Sequence, residues 1–207
     1  MRAVRDNALT LFFLLLTFLT LLGQALAGLK LERAELVGHE GRPVPGMWDY
    51  VTSSEFGVNV LENWQSEFMQ FFLFIMATVW LAQRGSAEAK EPGQEGFETP
   101  GPSGVRGHVK ANGLFLVMLL CFLATWLGQS MTGMREFNQG QRLHGDPQLT
   151  WGAYVQHADF WERTLQNWQS EFLAVAAMAI FTVYLRQHGS PESKRLDTPD
   201  EANDPTY

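Results

Sequence analysis

Four blocks of apolar residues, parted by polar stretches, constrain this 207-residue chain more than any other feature. Residues 8–28 are apolar except for Thr10, Thr17, Thr20 and Gln24, and residues 113–131 are broken only by Thr125, Gln129 and Ser130. Each matches the roughly 20 residues that a helix needs to cross the hydrocarbon core of a bilayer. The runs 68–82 and 172–185 are shorter, and at 1.5 Å per residue they reach only about 20 to 22 Å of a core about 30 Å thick. To cross, they must begin one to two turns earlier. That winds Asn63, Trp64, Gln65 and Glu67, and likewise Asn167, Trp168, Gln169 and Glu171, into the helix entries near the membrane interface. The fold class expected is therefore an all-α membrane protein of four transmembrane helices.

The blocks are arranged as an internal repeat. Asn7, Gly23, Gln24 and Gly28 recur as Asn112, Gly128, Gln129 and Gly133, each displaced by 105 positions. A one-residue deletion between His39-Glu40-Gly41-Arg42-Pro43 and His144-Gly145-Asp146-Pro147 changes the displacement to 104. Tyr50 and Phe56 then fall on Tyr154 and Phe160, and Asn63-Trp64-Gln65-Ser66-Glu67-Phe68 falls on Asn167-Trp168-Gln169-Ser170-Glu171-Phe172 without a mismatch. Gly85-Ser86, Glu88 and Lys90 recur as Gly189-Ser190, Glu192 and Lys194. Two spans per copy is an even number, so the copies enter the membrane in the same sense, as parallel helix-loop-helix repeats about an axis along the membrane normal.

The expected organisation is repeat 1 over 1–84, a disordered cytoplasmic linker over 85–111, repeat 2 over 112–188 and a disordered tail over 189–207. Linker and tail are polar, Gly- and Pro-containing, and carry Glu88, Glu91, Glu95, Glu98, Glu192, Asp197, Asp200, Glu201 and Asp204, much of the source of the net charge of −7. Nine Lys and Arg residues (2, 5, 84, 90, 106, 110, 186, 194, 195) lie on the side of the termini and linker, against six (30, 33, 42, 135, 142, 163) on the other. The bias puts termini and linker in the cytoplasm of a multi-pass protein of the cell (inner) membrane. The first block also reads as a secretory signal, with Arg2 and Arg5 ahead of it and Ala25-Leu26-Ala27 as a small-residue cleavage site. Its match to residues 112–133, mid-chain, favours a retained span.

In the second outer loop Trp151, Tyr154, Val155, Ala158, Trp161, Leu165 and Trp168 fall at helical spacing, which predicts an interfacial helix running into the fourth span. The first copy has Ser54 and Gly57 in place of Ala158 and Trp161, so its counterpart is expected to be weaker.

The Gly-Gln-x-x-x-Gly exits of spans one and three, the Asn-Trp-Gln-Ser-Glu-Phe entries to spans two and four, and the Gly-Ser-x-Glu-x-Lys exits resemble a family of uncharacterised bacterial membrane proteins known only as a domain of unknown function. The resemblance covers most of the chain apart from linker and tail, and the Asn-Trp-x-Ser-Glu-Phe box is its most specific part. It implies a bacterial cell membrane and no activity.

The candidate polar intramembrane site is Gln24, Asn63, Gln65, Glu67, Gln129, Asn167, Gln169 and Glu171. A carboxylate at a membrane helix entry needs a partner, water or a proton, and Asn63 with Glu67, like Asn167 with Glu171, sits four apart on one helical face. One reading is a site for a proton, cation or small polar solute, once per repeat or centrally on the pseudo-twofold axis. The other is that these groups hydrogen-bond across helices and set their register, while Trp64 and Trp168 anchor the interface.

Other chemistries find little support. There is no basic face for nucleic acid, and the single Cys121 excludes a thiol-disulfide relay and reads as packing. His39, His108, His144, His157 and His188 lie outside the spans and lack ligand spacing, so neither haem nor metal is expected and no cofactor is called. No phosphate loop, nucleophile elbow or zinc helix motif appears. Gly23 and Gly28 are five apart, not the four of a helix-dimer motif. A non-enzymatic interaction or envelope role stands first, a small transporter or channel using Glu67 and Glu171 second, and a membrane enzyme last. The partner called is the lipid bilayer, and a parallel duplication is compatible both with a compact bundle and with a ring of several copies.

Overall fold

The computed structural model describes residues 2–36, 44–97, 101 and 103–203. His39 to Pro43, where the repeat displacement changes, together with Glu98 and Asp204, lie outside the described residues. The described residues are all-helical in class, with 71% of them in helix. Among the described residues the only β pairing is an isolated bridge between Ala82 and Lys90. The helices are α1 (Arg2–Asp6), α2 (Ala8–Leu36), α3 (Met47–Val51), α4 (Ser54–Trp80), α5 (Gly104–Ala111), α6 (Gly113–His144), α7 (Trp151–Tyr154) and α8 (Ala158–Tyr184). Among the described residues two helical stretches, Ala8–Ala34 and Gly113–His144, are long and apolar enough to cross a membrane. Helices α4 and α8 are 27 residues each. Both start well before the Asn-Trp-Gln-Ser-Glu-Phe box, so the box is wound into the helix as the length argument requires.

The chain divides into two compact units, Met1–Val60 with Thr132–Gln148, and Leu61–Met131 with Leu149–Tyr207, each drawing on both repeats. In the first, Tyr50 of α3 is buried against α2, where Gly28 leaves room for its ring. Arg33 donates from Nε and Nη2 to the Pro45 carbonyl at 3.0 and 2.7 Å, tying the end of α2 to the segment that enters α3. Asp49 accepts the Gly46 N–H at 2.8 Å and so caps that short helix. Tyr50 meets Phe56 edge-on at 5.5 Å. Burial first, then the carboxylates of Glu55 and Glu32, push the Tyr50 phenol above its ordinary range. The α6 helix ends in this unit at Gly145, whose φ of 77° only glycine adopts without strain. Asp146 N–H donates to Gln141 O and Gly145 N–H to Arg142 O, which satisfies two terminal carbonyls.

In the second unit the core gathers Met69 of α4, Phe122 of α6, and Phe160 and Val183 of α8, with Tyr154 of α7. An aromatic ladder runs through it. Trp126 stacks on Phe122 at 5.3 Å and on Phe160 at 5.9 Å, and lies 6.1 Å from Trp168. Its indole N–H is buried and finds no acceptor among the described residues.

One expectation is corrected. The stripe from Trp151 to Trp168 is not one helix but two, because Thr150 accepts the Ala153 N–H and His157 Nδ1 accepts the Asp159 N–H, so each starts a new helix. The break turns Tyr154 inward, its hydroxyl donating to Asp159 at 2.8 Å. The first copy is built the same way, with α3 as a separate helix before α4.

Within the stretches expected as linker and tail, basic side chains reach backbone carbonyls. Lys194 is buried and donates to the carbonyls of Pro199, Asp200 and Ala202 at 3.3, 3.0 and 2.9 Å. Lys90 does the same to Gly96 at 2.7 Å. Arg186 donates to the last carbonyls of α8 and to Thr198, and pairs with Asp200 at 2.8 Å. Polar composition removes an apolar core but leaves a cation that can gather backbone oxygens around it. Helix α5 likewise occupies Gly104–Ala111 of the stretch expected as linker.

Candidate functional site

The two copies of the box, identical in sequence, are used differently. In α4, Gln65 and Ser66 are 0% and 1% exposed, whereas their counterparts in α8, Gln169 and Ser170, are exposed. Trp64 is exposed, while Trp168 packs against Phe122 and Trp126 and donates its N–H to Gln65 Oε1 at 2.9 Å. The Gln65 amide donates on to the Glu62 carbonyl at 3.0 Å, so both ends of this buried side chain are engaged. Ser66 donates to the Asn63 carbonyl at 2.8 Å and approaches Glu171 Oε1 at 3.3 Å. Gln70 reaches the Glu171 carbonyl at 3.5 Å.

Beside this pair, α6 brings Gln129, 1% exposed, to Thr164 of α8 at 3.5 Å, and Ser130 accepts the Trp151 N–H at 2.9 Å. A charged chain continues toward the start of α8. Arg163 faces Glu62 and Asp159, each at 3.4 Å, and Asp159 in turn accepts the Tyr154 hydroxyl. The result is a layer of interhelical hydrogen bonds and ion pairs around the box. For Gln65 and Ser66 the cost of desolvation is offset by these partners.

Of the expected site residues, the structure brings together Gln65, Gln129 and Glu171 within the second unit. Glu67, exposed, lies in electrostatic range of Glu171. Asn63 is exposed and contributes its carbonyl, and Asn167 is half-buried, its amide donating to the Arg163 carbonyl at 2.8 Å. Gln169 is exposed, and Gln24, half-buried on α2, belongs to the first unit. Thr164, Arg163 and Trp126 were not singled out from the sequence as site residues. Thr164 precedes Trp168 by one helical turn, which is the signal that would have placed it on the same face.

Farther along α4 and α8, a cavity of about 190 Å³ is lined by Phe71 and Phe74 on one side, Val175 and Met178 on the other, and by Glu88 and Glu192. The repeat carries each α4 member of that set onto its α8 counterpart and Glu88 onto Glu192. Burial, and secondarily the Glu192 carboxylate, raise the Glu88 carboxyl above its ordinary range.

A comparison with known families matches residues 1–205 to one described as a domain of unknown function, DUF6766. The chain belongs to that family. No curated protein and no solved structure matches it. For this DUF6766 member the family carries no activity with it, so any role has to be argued from the site itself.

Proposed function

We propose that this chain is a multi-pass protein of the cell membrane with four spans, α2, α4, α6 and α8, made of two parallel repeats with termini and linker in the cytoplasm. Its role is one of interaction within the envelope, without catalysis, and the box is the device that sets helix register. The observation that carries this reading is the burial of Gln65 between helices with both amide ends bonded, one of them to Trp168. A group held in this way favours packing over turnover, since binding a solute would first break bonds worth about 1 to 2 kcal/mol each in a membrane. At 27 residues, α4 and α8 each extend about 40 Å, enough to cross with the box near one interface.

Sided labelling tests the span count. With Cys121 replaced by alanine, Thr52→Cys and Gln148→Cys should react with an impermeant maleimide in intact cells, and Gln94→Cys only after permeabilisation. Reaction of Thr52→Cys and Gln148→Cys from opposite sides would remove the parallel repeat.

One observation favours a second reading, passage of protons or small cations. Glu67 with Glu171, on α4 and α8, and Glu88 with Glu192, in the segments that follow those helices, are two repeat-related carboxylate pairs, and the second pair lines the cavity. Under the packing reading, liposomes holding the wild type show no proton or cation flux above that of lipid alone, and Glu67→Gln with Glu171→Gln changes nothing. Flux in the wild type that this double substitution abolishes would install the second reading instead.

A further inference from the structure

We infer that the cavity between α4 and α8 binds a small monovalent organic cation, an ammonium group carried on a short apolar body. The inference goes beyond the register role proposed above. It rests on the packing of α4 against α8 within the second unit and not on the number of spans.

The cavity of about 190 Å³ has apolar walls, Phe71 and Phe74 from α4, Val175 and Met178 from α8. Its charge comes from farther along the chain. Glu88 and Glu192 each stand eight residues past the end of their helix, at Trp80 and Tyr184, and the chain returns to bring both to the cavity. The first return is firmly held. Ser86, fully buried, meets the Thr182 hydroxyl of α8 at 3.2 Å and accepts the Glu88 N–H at 3.1 Å. Asn203 accepts the Gly85 N–H at 2.6 Å and donates to the Gln83 carbonyl at 3.2 Å. In the second copy Ser190 accepts the Glu192 N–H at 3.2 Å, so the same local turn presents both carboxylates.

The lysine two residues after each glutamate is engaged elsewhere, Lys194 on three backbone carbonyls and Lys90 on that of Gly96. Among the described residues no cation and no hydrogen-bond donor reaches the carboxylate of Glu88 or of Glu192. Two like charges are thus brought into each other's range with nothing between them. Glu88, half-buried, holds its proton more tightly in response, through burial first and Glu192 second. A cation lodged beside the pair relieves both effects.

The walls decide which cation. A calcium ion takes about six to eight oxygen ligands, whereas phenyl, isopropyl and thioether groups offer none. A neutral apolar molecule, or a lipid chain, would cover the walls and leave the carboxylates unmatched. An ammonium on an apolar body answers both, and phenyl rings add their attraction for a cation. The volume lies below the roughly 300 to 1,000 Å³ of sites for drug-sized molecules, so the body is small, about one ring.

The test is calorimetric titration of full-length protein, in nanodiscs of zwitterionic lipid, with benzylammonium against empty discs as the blank. Saturable binding of one benzylammonium per chain is expected, with benzyl alcohol, similar in shape and uncharged, at least about tenfold weaker. Glu88→Gln with Glu192→Gln should also weaken benzylammonium at least about tenfold, and Ala174→Trp, at an exposed position on the cavity wall, should abolish binding by filling the space. The unfolding midpoint checks that both variants fold, and the comparison of the two probes on the wild type decides the matter if either does not. Three results overturn the proposal: no saturable heat beyond that of empty discs, equal affinity for the two probes, or unchanged affinity in the folded double variant. Sided labelling reports only on the spans, so a failure there leaves this site standing, and a failure here leaves the register role untouched.

Discussion

Alanine at Gly28 lowers the stability of the first unit by about 1 to 3 kcal/mol, although the same change in an ordinary helix interior raises it by about 1 kcal/mol. The reversal comes from Tyr50. Its ring and hydroxyl occupy the space that the new Cβ needs, and the ring is only 3% exposed, held by Phe56 on one side. It has nowhere to retreat. Valine at the same position should cost more, since its two methyl groups extend the overlap. Gly23, five residues earlier on the same helix, provides the internal control: nothing stands within 4 Å, so Gly23→Ala is neutral or slightly stabilising in a chain kept monomeric in detergent. The measurement is the unfolding midpoint in mixed micelles, followed by tryptophan fluorescence. Tyr50→Leu, by removing the ring, should recover part of the loss in Gly28→Ala. Equal effects at Gly23 and Gly28 would mean that Tyr50 does not lie on α2.

The glycine pair also marks how far the sequence can be read. Apolar runs announced α2 and α6, and the shortfall in the other two runs required helix through the box, which α4 and α8 provide. Hydropathy reports the solvent a segment prefers, so it locates a helix and cannot say which side of it meets another helix. Gly23 and Gly28 are alike in sequence and opposite in surroundings. The two hexapeptides are identical, yet Gln65 is buried and Gln169 exposed. Burial depends on neighbours supplied by other parts of the chain, and no local pattern encodes that. The candidate site was legible for the same reason and to the same depth. A carboxylate and amides at a helix entry are detectable as costly residues, whereas their partners, Thr164 and Arg163, are ordinary residues on a helix surface until α6 and α4 lie beside them. Lys194 shows what composition leaves out. Composition describes its surroundings as lacking an apolar core, and does not show that one ammonium gathers three carbonyls there.

The difference between the two hexapeptides is itself measurable. Trp168→Phe removes the donor to Gln65 Oε1 and keeps most of the ring stacking, so it strands a buried acceptor at a cost of about 1 to 3 kcal/mol. Gln65→Leu strands the indole N–H instead, and the cost is similar. Once both are changed neither group is left unpaired, so the double variant should lose less than the two singles combined, with a coupling of about 1 kcal/mol. The matched pair, Gln169→Leu and Trp64→Phe, acts on exposed side chains, and in monomeric protein each stays within about 0.5 kcal/mol of the parent. One hexapeptide therefore yields two outcomes according to which copy is changed. If both copies responded alike, the burial of Gln65 and the exposure of Gln169 would not describe the protein.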